Sequence, residues 1–184
     1  MHPDTLVLKK DPRTQNTTYV EYQKDSRLGI AGTQNPDPRL PGKALVVALR
    51  EGGSTLAVPV DALKRALLHQ TKLGSRAVVV TFNPASSTAA AFDRRVDGRL
   101  LKFEIVRREN EIFLRDRETS TIWSALTGKG IEGPLAGRQL APVQQHLSYW
   151  FVWAAYNPDA RIEPGWATRS VMEAGDSSVE PRPQ

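Results

Sequence analysis

Cysteine is absent from this chain of 184 residues, and histidine occurs only three times. Without a thiolate the chain can form no disulfide, no iron–sulfur or thiolate zinc site, and no cysteine nucleophile. His2, His69 and His146 lie far apart, and none has a His, Asp or Glu four residues further on, as metal ligands on a helix would. We therefore expect no tightly bound transition metal and no cofactor, and we expect His69 to be a surface or helix-cap residue.

Long apolar runs are missing as well. The longest are only a few residues, whereas a membrane-spanning helix needs about 20, and the polar opening Met1-His2-Pro3-Asp4 does not resemble a signal peptide. A net charge of +5 permits an anionic partner without requiring one. With 40% hydrophobic and 24% charged residues, the composition predicts a soluble protein with a packed core.

Proline, glycine and polar residues divide the chain into three segments. Residues 1–43 are rich in proline and predict an extended N-terminal arm, anchored by the rings of Tyr19 and Tyr22. Residues 44–163 contain the periodic apolar segments and predict a compact domain. Residues 164–184 contain few apolar groups and predict a flexible tail.

Strand patterns dominate the compact domain. Asp97-Gly98 between strand-like runs is typical of a type I′ hairpin, because both turn residues need a positive φ. Around it we predict a three-stranded antiparallel meander of residues 92–96, 99–106 and 112–117. Further strands are predicted over 44–49 and 55–60, which form a hairpin, and over 77–82, 121–123 and 138–143.

Two segments instead show the apolar spacing of helices. Asp61 can cap a helix that runs to Lys72, with His69 near its C-terminal end. Residues 145–156 place their large apolar side chains at helical spacing. Strands and helices together predict an α+β fold that is mostly antiparallel β with two short amphipathic helices.

The turn after the strand at 77–82 carries the first candidate site. Ser86 and Ser87 follow Asn83 on this turn. A nucleophilic serine needs a sharp elbow, usually flanked by glycines, and a positioned base, and no glycine flanks these serines. The pattern leaves open a plain polar turn and a hydroxyl that binds an anion or acts as a nucleophile.

An acidic pair provides the second candidate site. Asp116 and Glu118 could serve acid/base chemistry. However, Arg115 and Arg117 alternate with them, and charges on an antiparallel sheet normally pair with their neighbours. The pattern therefore leaves open a catalytic pair and an ion-paired strand face.

Anionic ligands have weaker support. Gly128-Lys129-Gly130 lacks the earlier glycine and the following Ser or Thr of a phosphate loop. Residues 94–117 contain more basic than acidic groups, but they lack the exposed aromatic side chains that stack on bases. Binding of polyanions by this basic face is possible, but nucleic acid is not the expected partner.

The second half of the chain contains a specific set of motifs. They are Phe92-Asp93-Arg94, Asp97-Gly98, Leu114-Arg115-Asp116-Arg117-Glu118-Thr119, Trp123-Ser124, Thr127-Gly128 and Gly133-Pro134-Leu135-Ala136-Gly137. In these motifs the sequence resembles the prokaryotic family catalogued as domain of unknown function 3179. The resemblance extends over residues 2–163 and includes Ala57-Val58-Pro59-Val60, Trp150, Trp153 and Asn157-Pro158-Asp159.

This resemblance also marks where the chain departs from the family. Asn83 and Ser86 stand where the family has a Cys-Pro-x-Cys turn, Ala66 stands at its helical histidine, and Gln70-Thr71 replaces an Asn-Asp pair. Amide and methyl groups cannot replace thiolate and imidazole in metal or redox chemistry. The resemblance therefore implies a degenerate copy that keeps the family's fold.

The N-terminal residues resemble the end of a family module. His2-Pro3-Asp4-Thr5-Leu6-Val7-Leu8 matches the family's final motif. The resemblance thus implies the C-terminal portion of a longer parent, in contact with a preceding module. Many members look exported, which would place the parent outside the cytoplasm, although this chain shows no export signal.

From these observations we expect a non-catalytic scaffold or binding domain. The candidate ligand-binding residues are Asn83, Ser86, Ser87, Asp116, Glu118 and Trp123. The alternative is an enzyme with a polar pocket near Asp116, Glu118 and Ser86. Within residues 116–137 we expect a structural role, with Trp123 buried, both carboxylates paired with arginines or turn amides, and the glycines in turns.

Overall fold

The structure is a computed structural model that describes residues 22, 25, 27–29, 34–109 and 111–163. The chain divides into two compact units, Met1–Gln34 and Asn35–Gln184. In the first unit the Tyr22 hydroxyl accepts a hydrogen bond of 2.7 Å from the Gly29 amide. The predicted anchor Tyr19 and the predicted tail 164–184 lie outside the described residues.

The first sheet of the second unit has the strand order β12-β1-β2-β13. Its strands are β1 (Leu45–Glu51), β2 (Ser54–Pro59), β12 (Gln145–Tyr149) and β13 (Arg161–Ile162). The hairpin predicted from the two apolar runs is confirmed, since β1 and β2 pair antiparallel from Val46↔Pro59 to Glu51↔Ser54. Strand β13 instead runs parallel to β2, along its free edge.

Helix α1 (Val60–Ala66) follows β2 directly and is shorter than predicted. Leu67 adopts a left-handed conformation with φ of 61°, which ends the helix. Residues predicted to continue the helix form β3 (Leu68–Leu73), which pairs with β4 (Arg76–Asn83), and β4 pairs with β5 (Thr88–Asp93). His69 therefore lies on a strand and not at a helix end, because pairing with β4 outweighs the local helical pattern.

The Asp97-Gly98 turn has the predicted conformation, with φ of 49° and 79°. It joins only two short strands, β6 (Arg95–Val96) and β7 (Arg99–Leu100). The larger meander starts later and has four strands in the order β11-β10-β9-β8. These are β8 (Phe103–Arg108), β9 (Glu111–Asp116), β10 (Ile122–Ser124) and β11 (Gly130–Glu132).

The predicted meander was thus wrong in its first strand, because Phe92 belongs to β5 and pairs with Val79 of β4. The predicted strand at 138–143 is also wrong. In its place are two isolated bridges, Phe92↔Pro142 and Lys129↔Gln139. Residues 145–149 of the second predicted helix form β12, because their backbone pairs with β1.

Helix α2 (Trp150–Tyr156) contains only apolar residues and tyrosine. Trp150, Trp153 and Ala154 are buried, while Val152 and Tyr156 are exposed. In α1, by contrast, the exposed positions Asp61, Lys64 and Arg65 are charged. A charged outer face is therefore present on α1 and not on α2.

The last part of the predicted arm packs against α2. The Trp150 indole N–H donates to the Asp37 carbonyl at 2.8 Å, and the Phe151 amide donates to Gly42 at 2.9 Å. Arg39 donates to the Ala160 carbonyl at 3.0 Å, and its hydrogen bonds hold the pKa of Asp37 below the usual carboxyl value. Residues 35–43 are thus tied to the helix through backbone carbonyls.

Three apolar clusters hold the elements together. The first joins β1, β2 and α1 to β4 and β5, the second lies under the meander, and the third packs α2 on the first sheet. Their largest buried members are Phe82, Leu49 and Leu63 in the first, Trp123 and Leu114 in the second, and Trp150 in the third. This arrangement places the meander beside β3–β5.

A glutamine side chain joins the β3–β5 sheet to the meander. Gln70 on β3 donates to the Phe103 carbonyl and accepts from the Phe103 amide, both at 2.9 Å. Its amide therefore pairs with β8 as a strand backbone would.

Over residues 34–109 and 111–163 the fold is α+β and mostly antiparallel, with two short helices. Within residues 34–109 and 111–163, neither helix has the length and apolar character needed to cross a membrane.

We predict that Gly130→Ala destabilises the protein by about 1–3 kcal/mol, the usual cost of overpacking. A Cβ atom there would overlap the Leu135 carbonyl oxygen, which belongs to the backbone and cannot rotate away. The matched control is Gly53→Ala, where a Cβ meets no atom within 4 Å. Urea unfolding of both variants tests this, and equal midpoints would contradict it.

Candidate functional site

Asp116, at the end of β9, is a buried carboxylate with saturated oxygens. Its side chain accepts hydrogen bonds from the Thr119 amide at 2.6 Å, the Thr121 amide at 3.2 Å and the Trp123 indole N–H at 2.9 Å. The Thr119 hydroxyl lies 2.9 Å from both oxygens. Asp116 is 0% exposed, so these bonds replace its hydration. Their geometry closes the turn between β9 and β10.

Glu118, on the same turn, is exposed and also bonds to backbone. One of its carboxylate oxygens accepts from the Lys102 amide at 2.8 Å. Arg94 lies nearby and donates to the Leu101 carbonyl at 2.8 Å. Burial lowers the pKa of the Arg94 guanidinium, and the charge of Glu118 acts in the opposite direction. Both acidic residues therefore bind turn or strand amides and not arginines.

Trp123 is fully buried, as predicted, and its ring meets Phe103 edge to face at 6.2 Å between centroids. Gly128, Gly133 and Gly137 have φ of 71°, 102° and 84°. At Gly133 a Cβ would lie 2.9 Å from the Thr121 Cα. Trp123 is thus buried and the three glycines adopt turn conformations, as predicted.

The outward face of the meander is paired by charge. Arg115 and Arg117 both contact Glu104, and Arg115 donates to it at 2.8 Å. Hydrogen bonding from Arg115 lowers the pKa of Glu104. Arg108 makes a two-armed contact with Glu132 and lies 5.7 Å from the Phe113 ring centroid. Arg115 and Arg117 are therefore ion-paired with Glu104, while Asp116 and Glu118 bond to other groups.

A cleft of about 190 Å³ opens where β4, β5, β9 and β10 come together. It is called the β4–β10 cleft below. Its lining consists of Thr81, Asn83, Thr88, Glu111, Ile112, Phe113, Ser124, Ala125 and Leu126. The lining of the cleft, at one end of the meander, thus contains both polar and apolar side chains.

Hydrogen bonds to backbone fix the polar lining of the cleft. The buried Thr81 hydroxyl donates to the Ala125 carbonyl at 2.7 Å, which ties β4 to the loop after β10. The Asn83 oxygen accepts from the Ala85 amide at 2.9 Å, and the Ser124 hydroxyl accepts from the Thr127 amide at 3.1 Å. The cleft is therefore preformed by its own turns.

Comparison with known protein families identifies the chain. A family model described as protein of unknown function (DUF3179) matches residues 1–160. The chain belongs to this family. Neither a curated protein nor a solved structure matches it.

Only one of the predicted site residues lines the β4–β10 cleft. That residue is Asn83, at the end of β4. Ser86 and Ser87 are exposed on the turn and do not line the cleft. Asp116 and Glu118, like Trp123, are not among its lining residues. The structure therefore does not bring the two predicted sites together in this cleft.

Other lining residues were missed by sequence reasoning. Thr88 could have been found, because it pairs with Asn83 across the β4–β5 hairpin. Glu111 and Ser124 come from the meander, and no local sequence signal connects them with Asn83. Their convergence depends on the packing of the meander against β4 and β5.

The histidines in the described residues take separate positions. His69 Nε2 lies 3.1 Å from the Glu163 Oε1 atom, beside Ala66 in a smaller cleft of about 120 Å³. His146 meets the Trp153 ring edge to face at 5.2 Å. Across residues 34–109 and 111–163, no three His, Asp or Glu side chains are grouped as metal ligands.

We predict that Thr81→Val destabilises the protein by about 1–2 kcal/mol, because the Ala125 carbonyl loses a buried donor. Valine keeps the shape of threonine, so packing is preserved. Thr88→Val is the control, since its hydroxyl bond to Ser86 is exposed, and we expect a change within about 0.5 kcal/mol. Equal losses of stability in urea unfolding would contradict the prediction.

Proposed function

We propose that this DUF3179 chain is a non-catalytic module that serves as a scaffold or binding domain. The observation that carries the proposal is the bonding of Asp116. Its carboxylate is fully buried and accepts two amides, a hydroxyl and an indole N–H. A general acid or base needs a free position within hydrogen-bond reach of a substrate, and these oxygens have none.

The β4–β10 cleft supports the same proposal. Glu111 is the one ionisable group among its described lining residues, and it is exposed. A serine or threonine nucleophile requires a positioned base beside its hydroxyl. The Thr88 hydroxyl donates to the Ser86 carbonyl, and the Ser124 hydroxyl accepts from the Thr127 amide. These groups are suited to binding.

The amide at residue 83 supports binding over reaction as well. The Asn83 side-chain oxygen accepts a hydrogen bond from the Ala85 amide. Asn83 also lines the cleft, and its N–H groups have no acceptor among the described residues. An amide donates and accepts hydrogen bonds but does not bind metals or exchange electrons as a thiolate does. The position thus keeps a polar contact without redox chemistry.

Within the same proposal, residues 1–43 form an arm, 44–163 the binding domain and 164–184 a tail. The packing of residues 35–43 on α2 supports an arm that adds to the domain. The module would be the C-terminal portion of a longer parent and would contact a preceding module.

The proposal is tested by urea unfolding of three variants beside the parent. Trp123→Ala removes a buried ring and should cost about 3–5 kcal/mol. Asp116→Asn should cost about 2–3 kcal/mol. The new NH₂ group faces N–H donors, which can no longer bond to that atom, and the remaining side-chain oxygen is uncharged. The matched control Glu118→Gln keeps an acceptor and should cost less than about 1 kcal/mol.

A catalytic Asp116 would give the opposite result. Residues kept for chemistry often sacrifice stability, so their replacement leaves stability unchanged or raises it. If Asp116→Asn unfolds at the parent's urea concentration or above, the scaffold role fails and the enzyme alternative takes its place.

A further inference from the structure

Four polar side chains reach the β4–β10 cleft from four different strand ends. Asn83 ends β4, Thr88 begins β5, Glu111 begins β9 and Ser124 ends β10. At about 190 Å³, the cleft is smaller than the sites of roughly 300–1,000 Å³ that hold drug-sized ligands. It has room for one small ring.

Donors and acceptors are both available there. The Asn83 N–H groups have no acceptor, and Glu111 has no hydrogen bond or ion pair, among the residues that the structure describes. The Thr88 and Ser124 hydroxyls each use one bond locally and keep further lone pairs. A ligand with several hydroxyl groups matches this mixture, because each hydroxyl both donates and accepts.

The charge of the cleft disfavours ionic ligands. No Lys, Arg or His occurs among its described lining residues, so an anion would meet the Glu111 carboxylate without a counter-charge. Arg108, which lies against the Phe113 ring, is already paired with Glu132. An ammonium ligand would gain little from Glu111, because exposed ion pairs contribute only about 0–1 kcal/mol.

The lining of the cleft is also partly apolar. Ile112, Phe113 and Leu126 contribute to it, and Leu126 is 50% exposed. A sugar ring presents hydroxyl groups at its edge and C–H bonds on its faces. We propose that the β4–β10 cleft binds a neutral carbohydrate through one monosaccharide ring, with the C–H face on Phe113 and the hydroxyls on Asn83, Glu111 and Ser124. This assignment rests on the proposed role as a binding module.

The test is titration of the full chain with D-glucose, D-galactose and N-acetyl-D-glucosamine, followed by amide chemical shifts. Inorganic phosphate and propylammonium are the contrasting probes. We expect saturable shifts with at least one sugar, located at residues of the cleft, and none with phosphate or propylammonium. Glu111→Gln should weaken that binding about two- to fivefold, because an exposed carboxylate contributes only modestly.

Glu109→Gln is the matched control, since Glu109 is an exposed carboxylate on the same hairpin but does not line the cleft. Ser124→Leu, which fills the cleft, should abolish the shifts, and unchanged unfolding midpoints show that the variants fold. The assignment is overturned if no sugar saturates below roughly 100 mM, if phosphate or propylammonium binds instead, or if Glu109→Gln weakens binding equally. Such a result leaves the Asp116 unfolding test untouched, so the two proposals can fail separately.

Discussion

The Asp116 carboxylate draws the turn after β9 and the strand that follows it into one network. Thr119, Thr121 and Trp123 donate to it, and the Thr121 hydroxyl in turn accepts from the Leu135 amide at 3.1 Å. A buried charge persists only when its oxygens are saturated. The donors of this network come from the turn, from strand β10 and from the loop after β11. A shift of any one of these segments alone would therefore break a hydrogen bond. Gly133 has no Cβ atom and can therefore lie close to the Thr121 backbone, which holds the loop after β11 against this turn.

This anchor also decides where a ligand site can form. Strand β9 has Glu111 at one end and Asp116 at the other, a separation of roughly 16 Å at about 3.3 Å per residue. The end with Asp116 is closed by buried hydrogen bonds. The end with Glu111 opens next to the β4–β5 turn, where Thr81 holds Ala125 and leaves a preformed cleft. Strand β9 is thus fixed by hydrogen bonds at its Asp116 end, and its Glu111 end lines the open cleft.

Sequence reasoning succeeded where the deciding interactions are local. Asp97-Gly98 specifies its turn through the φ angles of two residues, and the Asp116 turn is closed by residues within seven positions. It failed at Leu68–Leu73, where pairing with β4 and the Gln70 contact to Phe103 outweigh a helical pattern. The cleft was predicted only at Asn83 for the same reason. Glu111 and Ser124 reach it through packing between sheets, for which one sequence carries no local signal.

Two side-chain amides, at residues 70 and 83, replace backbone groups as hydrogen-bond partners. Gln70 bonds both backbone groups of Phe103, and Asn83 bonds the Ala85 amide. Side-chain amides can do this because they carry a donor and an acceptor, as the backbone does. Neither contact requires a thiolate, an imidazole or a shifted pKa. Strand pairing and turn closure at these positions therefore need only a donor and an acceptor in the right geometry, and the proposed binding role of the β4–β10 cleft makes the same demand.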